Sequence, residues 1–164
     1  MRRIIEAAAR TEKLYSGRDI FETAENSGAK VWFRRLGGLK GFYICEHGVR
    51  YIVINEDLDP MMKRVVCAHE LGHDMLHREL SAGGIRENTM FLDGNRTERE
   101  ANLFAAQMLV SDRAVLDEAE YCRSLEMLAF ELGVPPEIAE YKLEVMNYLG
   151  HSFRLNEVRS DFLK

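Results

Sequence analysis

Two histidines and a glutamate lie close together in the middle of the chain, in the sequence His69-Glu70-Leu71-Gly72-His73. On a helix, His69 and His73 are one turn apart and project from the same face, so both imidazoles can bind one metal ion. Glu70 is next to the first histidine and could act as the base for a catalytic water. The pattern is typical of a hydrolytic zinc site whose third ligand comes from elsewhere.

The residues around this motif predict a helix that begins at Asp59. Asp59 is a good N-cap, Pro60 suits the first helical position, and apolar residues then recur at helical spacing. The two histidines share the apolar stripe, so we expect them to face inward, with Glu70 at the edge of that stripe. Lys63 and Asp74 are predicted to mark the solvated side of the helix.

The third ligand is expected on a second helix, which the sequence predicts from Thr97 onward. Two glutamates compete for the role. Glu98 shares a face with Asn102 and with small residues that would allow close approach to Gly72. We therefore favour Glu98 as the ligand and Asn102 as a residue that holds a ligand in place. Glu100 is the alternative ligand, although with Thr97 it would form a capping box. These ligand types favour Zn²⁺ over Mn²⁺.

Three further side chains are candidates for binding substrate or stabilising its developing charge. His77 lies on the same helix as His69 but about 12 Å further along the axis, which is too far to bind the same ion. Tyr43 and Tyr51 belong to extended segments that precede the helix. We expect these side chains outside the ligand set, as candidates for the cleft.

The first 55 residues predict two helices followed by a small sheet. Residues 1–15 and 18–27 have helical spacing of apolar residues. Three extended segments follow, rich in β-branched and aromatic residues: 31–33, 41–45 and 49–54. Gly37-Gly38 and Glu46-His47-Gly48 resemble hairpin turns, so the sheet is predicted to be mostly antiparallel. Either of the last two segments could be an edge strand that binds an extended substrate.

The C-terminal third predicts a separate helical region. Residues 124–132 and 137–149 have helical patterns around a Gly-Val-Pro-Pro break, which is the outline of a helix-turn-helix. The second of these helices carries three glutamates against the single cation of Lys142. An acidic helix is poorly suited to the major groove, so packing or partner docking is favoured over DNA binding.

The net charge of −5 lies entirely in this C-terminal third. Residues 1–110 carry 16 basic and 16 acidic side chains, whereas residues 111–164 carry 6 and 11. No basic stripe is present, which argues against direct binding of nucleic acid. Acidic charge would instead suit a basic protein partner.

Composition also bears on the compartment. No apolar run approaches the roughly 18 residues of a membrane span, and the N-terminus lacks the apolar core of a signal peptide. We therefore expect a cytoplasmic protein without a membrane partner. Cys45, Cys67 and Cys122 have no paired spacing and are expected to be reduced.

Taken together, these patterns resemble the ImmA/IrrE family of metallo-endopeptidases. The resemblance rests on three stretches: Ile52-Val53-Ile54-Asn55, the His69-Glu70-Leu71-Gly72-His73 motif, and Glu98-x-x-Ala101-Asn102-x-Phe104-Ala105 with Leu109. It covers roughly residues 18–115. Family members on mobile genetic elements act as anti-repressors that cleave a helix-turn-helix repressor, while others control stress responses by the same proteolysis.

The resemblance implies a zincin-like α+β fold, in which a small sheet packs on the motif helix and a second helix supplies a ligand. It implies zinc held by His69, His73 and Glu98, with Glu70 as the catalytic acid and base. The metallopeptidase domain would span residues 1–110, with residues 1–17 as a helical arm, and residues 111–164 would form the C-terminal helical region. The implied partner is a helix-turn-helix transcriptional repressor.

Two other functional classes stay open on the sequence alone. One is a metal-bound anti-repressor that sequesters its partner without proteolysis. The other is a DNA-binding regulator with a vestigial motif.

Overall fold

The structure is a computed structural model that describes residues 1–78 and 96–153. Within these ranges the chain forms an α+β fold of seven helices and one sheet of three strands. The helices are α1 (Arg2–Tyr15), α2 (Ile20–Asn26), α3 (Pro60–His77), α4 (Arg96–Leu109), α5 (Asp112–Ala119), α6 (Leu125–Leu132) and α7 (Pro136–Tyr148). The strands are β1 (Ala29–Arg34), β2 (Gly41–Glu46) and β3 (Val49–Asn55).

The sheet is mixed, with β3 at its centre. β2 pairs antiparallel with β3 through a turn in which His47 has a φ of 50° and Gly48 a φ of 77°, so the second predicted hairpin is confirmed. β1 pairs parallel with β3 and not with β2. The predictions of a mostly antiparallel sheet and of a hairpin at Gly37-Gly38 are therefore wrong.

Asn55 gives the physical reason for this strand order. Residues 35–40 pass over the end of β3, and the Asn55 side-chain amide donates hydrogen bonds of 3.0 Å to the carbonyls of both Gly37 and Leu39. Its Oδ1 accepts from the backbone N–H of Leu36 at 3.4 Å. The link is thereby held across the strand end, which places β1 and β2 on opposite sides of β3.

Helix α3 lies between the sheet and α4. The helices α2 and α3 pack on one face of the sheet, where Ile52 and Ile54 are fully buried. On its other side α3 packs against α4, which in turn contacts α1 and α7. Because of this enclosure, every residue from 65 to 74 is buried, on all sides of the helix.

The C-terminal helices begin and end at local capping residues. Ser111 Oγ accepts from Ala114 N–H at 3.1 Å to cap α5, Ser124 caps the start of α6 in the same way, and Gly133, with a φ of 64°, caps its C-terminal end. The helices predicted on either side of the Gly-Val-Pro-Pro break are confirmed. Residues 154–164 of the predicted C-terminal region lie outside the described residues, and the division at residue 110 stays a prediction.

Two simpler expectations can be compared with the structure. The three cysteines are free thiols, as the sequence predicts. None of the helices in the described ranges combines the length and the apolar character that crossing a bilayer requires.

Candidate metal centre

The helix that carries the histidines begins where the sequence predicts. Asp59 Oδ1 accepts from the backbone N–H of Met62 at 2.9 Å, and Pro60 is the first helical residue. His69 and His73 lie one turn apart on the side of α3 that faces α4, and both are buried. Their position follows from the helical period, because residues four apart share a face.

The second helix approaches α3 closely at a glycine. A Cβ atom built on Gly72 would lie 3.2 Å from the Cα and carbonyl oxygen of Ala101 and from Cδ1 of Phe104. Hydrogen at position 72 permits this approach, since a methyl group there would be closer to Ala101 and Phe104 than nearly all Cβ contacts. Glu98, in the first turn of α4, is thereby brought to the two histidines.

Three side chains form a compact buried cluster. Glu98 Oε2 is 3.2 Å from His69 Nε2, and Glu98 Oε1 is 3.4 Å from His73 Nε2. The two Nε2 atoms are 3.1 Å apart, and the ligand atoms all lie within 4.8 Å of one another. Two imidazole nitrogens and a carboxylate oxygen form the protein ligand set of many catalytic zinc sites, so these residues fit a Zn²⁺ ion.

Asn102 fixes the orientation of one imidazole. Its Oδ1 is 2.7 Å from His69 Nδ1, and both side chains are buried. When Nδ1–H donates to this oxygen, the lone pair of His69 Nε2 is directed at the cluster, as a metal ligand requires.

Electrostatic coupling in the cluster is strong. Burial alone would raise the pKa of Glu98, but hydrogen bonds from His69 and His73 outweigh it and lower the pKa to about 2. Burial alone would lower the pKa of His69, but the Glu98 hydrogen bond and the charges of Glu70 and Glu98 raise it. The carboxylate is therefore held in its anionic, metal-binding form.

Sequence comparison then identifies the family. The sequence model of the IrrE N-terminal-like domain matches residues 24–144, a range that includes α3, α4 and the whole cluster. This chain belongs to the ImmA/IrrE family of metallopeptidases.

Two relatives of this ImmA/IrrE-family chain come from Bacillus and one of its phages. The protein named metallopeptidase ImmA of Bacillus subtilis (strain 168) is 29% identical over 150 residues, which cover 89% of this chain and 87% of the relative. The uncharacterized immunity region protein 2 of Bacillus phage phi105 is 36% identical over 104 residues, or 63% of this chain. The match to the phage protein spans 65% of the length of that protein.

Glu70 lies deeper in the ImmA/IrrE-family chain than the sequence predicts. Its side chain is fully buried, next to His69, and not at a solvated edge. Asp74, predicted to mark the solvated side, is also buried, at 1% exposure. Both expectations are wrong because the sheet covers the side of α3 opposite α4.

Asp74 is the acceptor of a buried network that the sequence analysis missed. Its carboxylate accepts from Tyr43 Oη at 2.9 Å, Arg50 Nη1 at 2.5 Å and Arg78 Nε at 3.0 Å. Arg50 also donates to the Ser27 carbonyl. A signal was present, because Arg50 lies on the same face of β3 as the buried Ile52 and Ile54, and a cation there needs an internal partner.

Glu100 and His77 lie together beside the cluster. Arg3 Nη2 and Arg96 Nε bind the Glu100 carboxylate at 2.6 and 2.8 Å, and His77 Nε2 is 3.6 Å from it. The structure brings Glu98, and not Glu100, to the two motif histidines. Because α4 begins at Arg96, Thr97 is its second residue, and the predicted N-cap at Thr97 is wrong.

The remaining predicted residues do not join the cluster of His69, His73 and Glu98. His77 is buried, and its ring centroid is 5.7 Å from that of His73. Its pKa is lowered mainly by burial and also by the charge of His73. Tyr43 is buried, and its hydroxyl is bound to Asp74, so burial and the Asp74 charge raise its pKa. Tyr51 packs on Trp32 with ring centroids 4.6 Å apart, on the sheet face that points away from α3.

Proposed function

We propose that this chain is a zinc-dependent endopeptidase that hydrolyses a peptide bond in a regulatory protein, namely a helix-turn-helix repressor. The observation that carries the proposal is the convergence of His69, His73 and Glu98 within 4.8 Å, on the same helix pair that carries Glu70. The family membership supports a peptidase, and the burial of the cluster strengthens the electrostatic interactions within it.

In this proposal His69, His73 and Glu98 hold the ion and Glu70 moves the proton. A zinc ion bound there would supply a Lewis acid that activates water and polarises the scissile carbonyl. The Glu70 carboxylate takes a proton from the attacking water and later delivers it to the leaving amine nitrogen. Asn102 keeps His69 in the tautomer that leaves Nε2 free to bind.

The proposed arrangement is zincin-like. The motif helix lies between a small sheet and a second helix that carries the third ligand. β3, which contains residues 49–54, is the central strand and has a partner on both sides, so it cannot pair with a substrate. β2 pairs antiparallel with β3 and is an edge strand, and we assign strand addition of the substrate to β2.

The proposed partner follows from the relatives and from charge. One relative is named as an immunity region protein and another as metallopeptidase ImmA, which supports a regulator as substrate. The acidic C-terminal third complements a basic DNA-binding protein. Such a substrate would be met in the cytoplasm, where we propose that the chain acts.

Incubation with a candidate substrate tests the reaction. The purified chain is mixed with the helix-turn-helix protein encoded by its nearest gene neighbour, with and without a chelator, and products are identified by mass spectrometry. We expect cleavage that stops on chelation and falls at least about a hundredfold in Glu70→Gln. Glu25→Gln, which alters an exposed carboxylate on α2, is the matched control.

Cleavage that persists in Glu70→Gln or with chelator present would contradict the proposal. Repressor binding without cleavage, together with derepression that survives in zinc-loaded Glu70→Gln, would favour sequestration instead. DNA binding is the weakest alternative, because Lys142, the one basic residue of α7, is only 1% exposed.

Metal analysis tests the ligand assignment separately. We expect Glu98→Ala to lose stoichiometric zinc, because it removes the carboxylate from the cluster. Glu100→Ala should retain zinc, because Glu100 is bound to Arg3 and Arg96. Zinc retained by Glu98→Ala and lost from Glu100→Ala would reverse the assignment.

A further inference from the structure

The helix α6 is apolar on nearly all sides although it lies at the surface. Its sequence is Leu-Glu-Met-Leu-Ala-Phe-Glu-Leu. Leu125, Leu128 and Ala129 are buried in the core. On the opposite side, Met127 is 45% exposed and Phe130 is 81% exposed. A helix that is apolar all round is normally covered on all sides, so the outer side of α6 is suited to a partner.

Two carboxylates flank these apolar side chains. Met127 and Phe130 are three residues apart and are therefore neighbours on the helix surface. Glu126 lies four residues before Phe130, and Glu131 lies four residues after Met127, so each continues the same face. We call Glu126, Met127, Phe130 and Glu131 the α6 outer face. Within residues 1–78 and 96–153, neither glutamate of this face forms an ion pair.

The surroundings of the α6 outer face are acidic as well. Residues 111–153 carry nine acidic and three basic side chains. Of the three, Lys142 is buried against Asp112, and Arg113 is paired with Asp117. Arg123 is exposed just before the N-cap of α6, where Glu126 and Glu131 outnumber it. The field at α6 is therefore negative, and an apolar surface with an acidic rim selects a partner that carries apolar and basic groups.

We propose that the α6 outer face docks a basic amphipathic helix of the protein substrate. The assignment deepens the proposed function and rests on it for the identity of the partner as a substrate. The large exposed aromatic side chain of Phe130 is the anchor, since aromatic residues dominate binding energy at protein interfaces. The carboxylates of Glu126 and Glu131 pair with Lys or Arg side chains at the edges of the apolar contact.

Other occupants fit the same surface less well. Nucleic acid and anionic membranes are repelled by the acidic rim. A second copy, docked by two-fold symmetry, would bring one acidic rim against another. A helix of a DNA-binding domain has the required combination of apolar and basic side chains.

Packed helices link the α6 outer face to the candidate metal centre. α6 packs on α7, and α7 packs on α4, which carries Glu98 and Asn102. Arg99 on α4 also pairs with Glu144 on α7. A substrate held at α6 is therefore held by the same rigid elements that position the cluster, and docking should affect binding rather than the chemical step.

A model ligand tests the surface without any proteolysis. The probe is a fluorescein-labelled helical peptide of leucine and lysine, with binding followed by anisotropy. We expect Phe130→Ser to weaken binding about tenfold. Leu14→Ser, which alters a 55% exposed leucine on α1, should leave affinity within about twofold. Because Phe130 is mostly exposed, its substitution leaves the fold intact, which circular dichroism checks. Equal affinity in both variants would overturn the proposal.

Charge reversal provides a second test of the α6 outer face. Glu131→Lys and Glu25→Lys change the net charge equally, but Glu25 lies on α2. We expect Glu131→Lys to weaken peptide binding several-fold and to reduce its salt dependence, with little change in Glu25→Lys. An equal effect of the two reversals would show that general charge, and not the α6 outer face, attracts the peptide, and would contradict the proposal.

Kinetics with the neighbour-encoded repressor connect the surface to proteolysis. Phe130→Ser should raise KM and leave kcat unchanged, since it removes uniform binding. If the repressor is not cleaved, the peptide measurements still test the surface, so the two failures are distinguishable. Loss of a dimer in Phe130→Ser, seen by analytical ultracentrifugation, with peptide affinity unchanged, would assign the face to a second copy and overturn the proposal.

Discussion

The side-chain amide of Asn102 determines which nitrogen of His69 faces the cluster. When His69 Nδ1–H donates to Asn102 Oδ1, 2.7 Å away, the neutral imidazole carries its lone pair on Nε2. We predict that Asn102→Ala lowers zinc affinity about 10- to 100-fold, measured by competition with a chelator of known affinity. Asn26→Ala, on an exposed amide at the end of α2, is the control and should retain wild-type affinity. Equal affinities in the two variants would contradict this role.

Asp74 has a structural role at the same scale. Asp74→Ala leaves Arg50 unpaired in a position where its side chain is only 16% exposed. We predict a loss of about 3–5 kcal/mol in the free energy of unfolding, measured by urea titration. Tyr43→Phe removes one hydrogen bond of the network and should cost about 1 kcal/mol. A smaller loss in Asp74→Ala than in Tyr43→Phe would contradict the network.

The residues of the candidate site were largely predictable from spacing, whereas their surroundings were not. Helical periodicity is enough to put His69 and His73 on one face and Glu98 with Asn102 on another, and the structure brings these faces together. Their roles as ligands stay a prediction. The burial of Asp74 could not be read from a helical wheel, because the cation that neutralises it comes from β3, 24 residues earlier.

At the scale of secondary-structure elements, the contact between α3 and α4 sets the size of the cluster. Gly72→Ala adds a Cβ atom 3.2 Å from the Ala101 backbone, and backbone atoms cannot move aside cheaply. We predict a loss of about 1–3 kcal/mol in stability, despite the better helix propensity of alanine, together with weaker zinc binding. Gly38→Ala, where an added Cβ has no neighbour within 4 Å, is the control. Unchanged stability and zinc affinity in Gly72→Ala would contradict the close approach.

The elements were predicted more reliably than their arrangement. The Asp59 cap, the Gly-Val-Pro-Pro break and the apolar periods are local signals, and they locate α3, α6 and α7 within a few residues. Strand order depends on contacts between distant residues. The hydrogen bonds of Asn55 to residues 36–39 exist only after β3 has formed, so the glycines at 37 and 38 were mistaken for a hairpin turn.

For the whole molecule, the C-terminal helices are joined to the helix that carries Glu98 more closely than a division at residue 110 suggests. Lys142 on α7 donates to Gln107 on α4 and to Asp112 on α5. The family match likewise continues to residue 144. The division into two domains stays a prediction, and its sequence signal is the change in charge rather than a linker.

The stability of the whole chain should depend on pH in opposite ways with and without zinc. In metal-free protein, burial alone would lower the pKa of His69, but Glu98 and Glu70 raise it above its ordinary value. Protonated His69 therefore contributes stability that is fully present below the pKa of histidine in the unfolded chain, about 6.5. This stability is lost as pH rises through the pKa of His69 in the folded protein. Zinc binding requires neutral imidazoles, so its contribution grows over the same range.

Urea unfolding between pH 6.5 and 8.5 tests this dependence. The lowered pKa of His77 changes stability mainly below its unfolded value of about 6.5, and its remaining effect above that pH is common to wild type and His69→Gln. We predict that wild-type protein freed of metal by a chelator loses stability across this interval, and that metal-free His69→Gln loses less. Zinc-loaded wild-type protein should gain stability relative to the metal-free form as pH rises. Parallel pH profiles for chelated wild type and His69→Gln would show that His69 is not held protonated by its carboxylate neighbours.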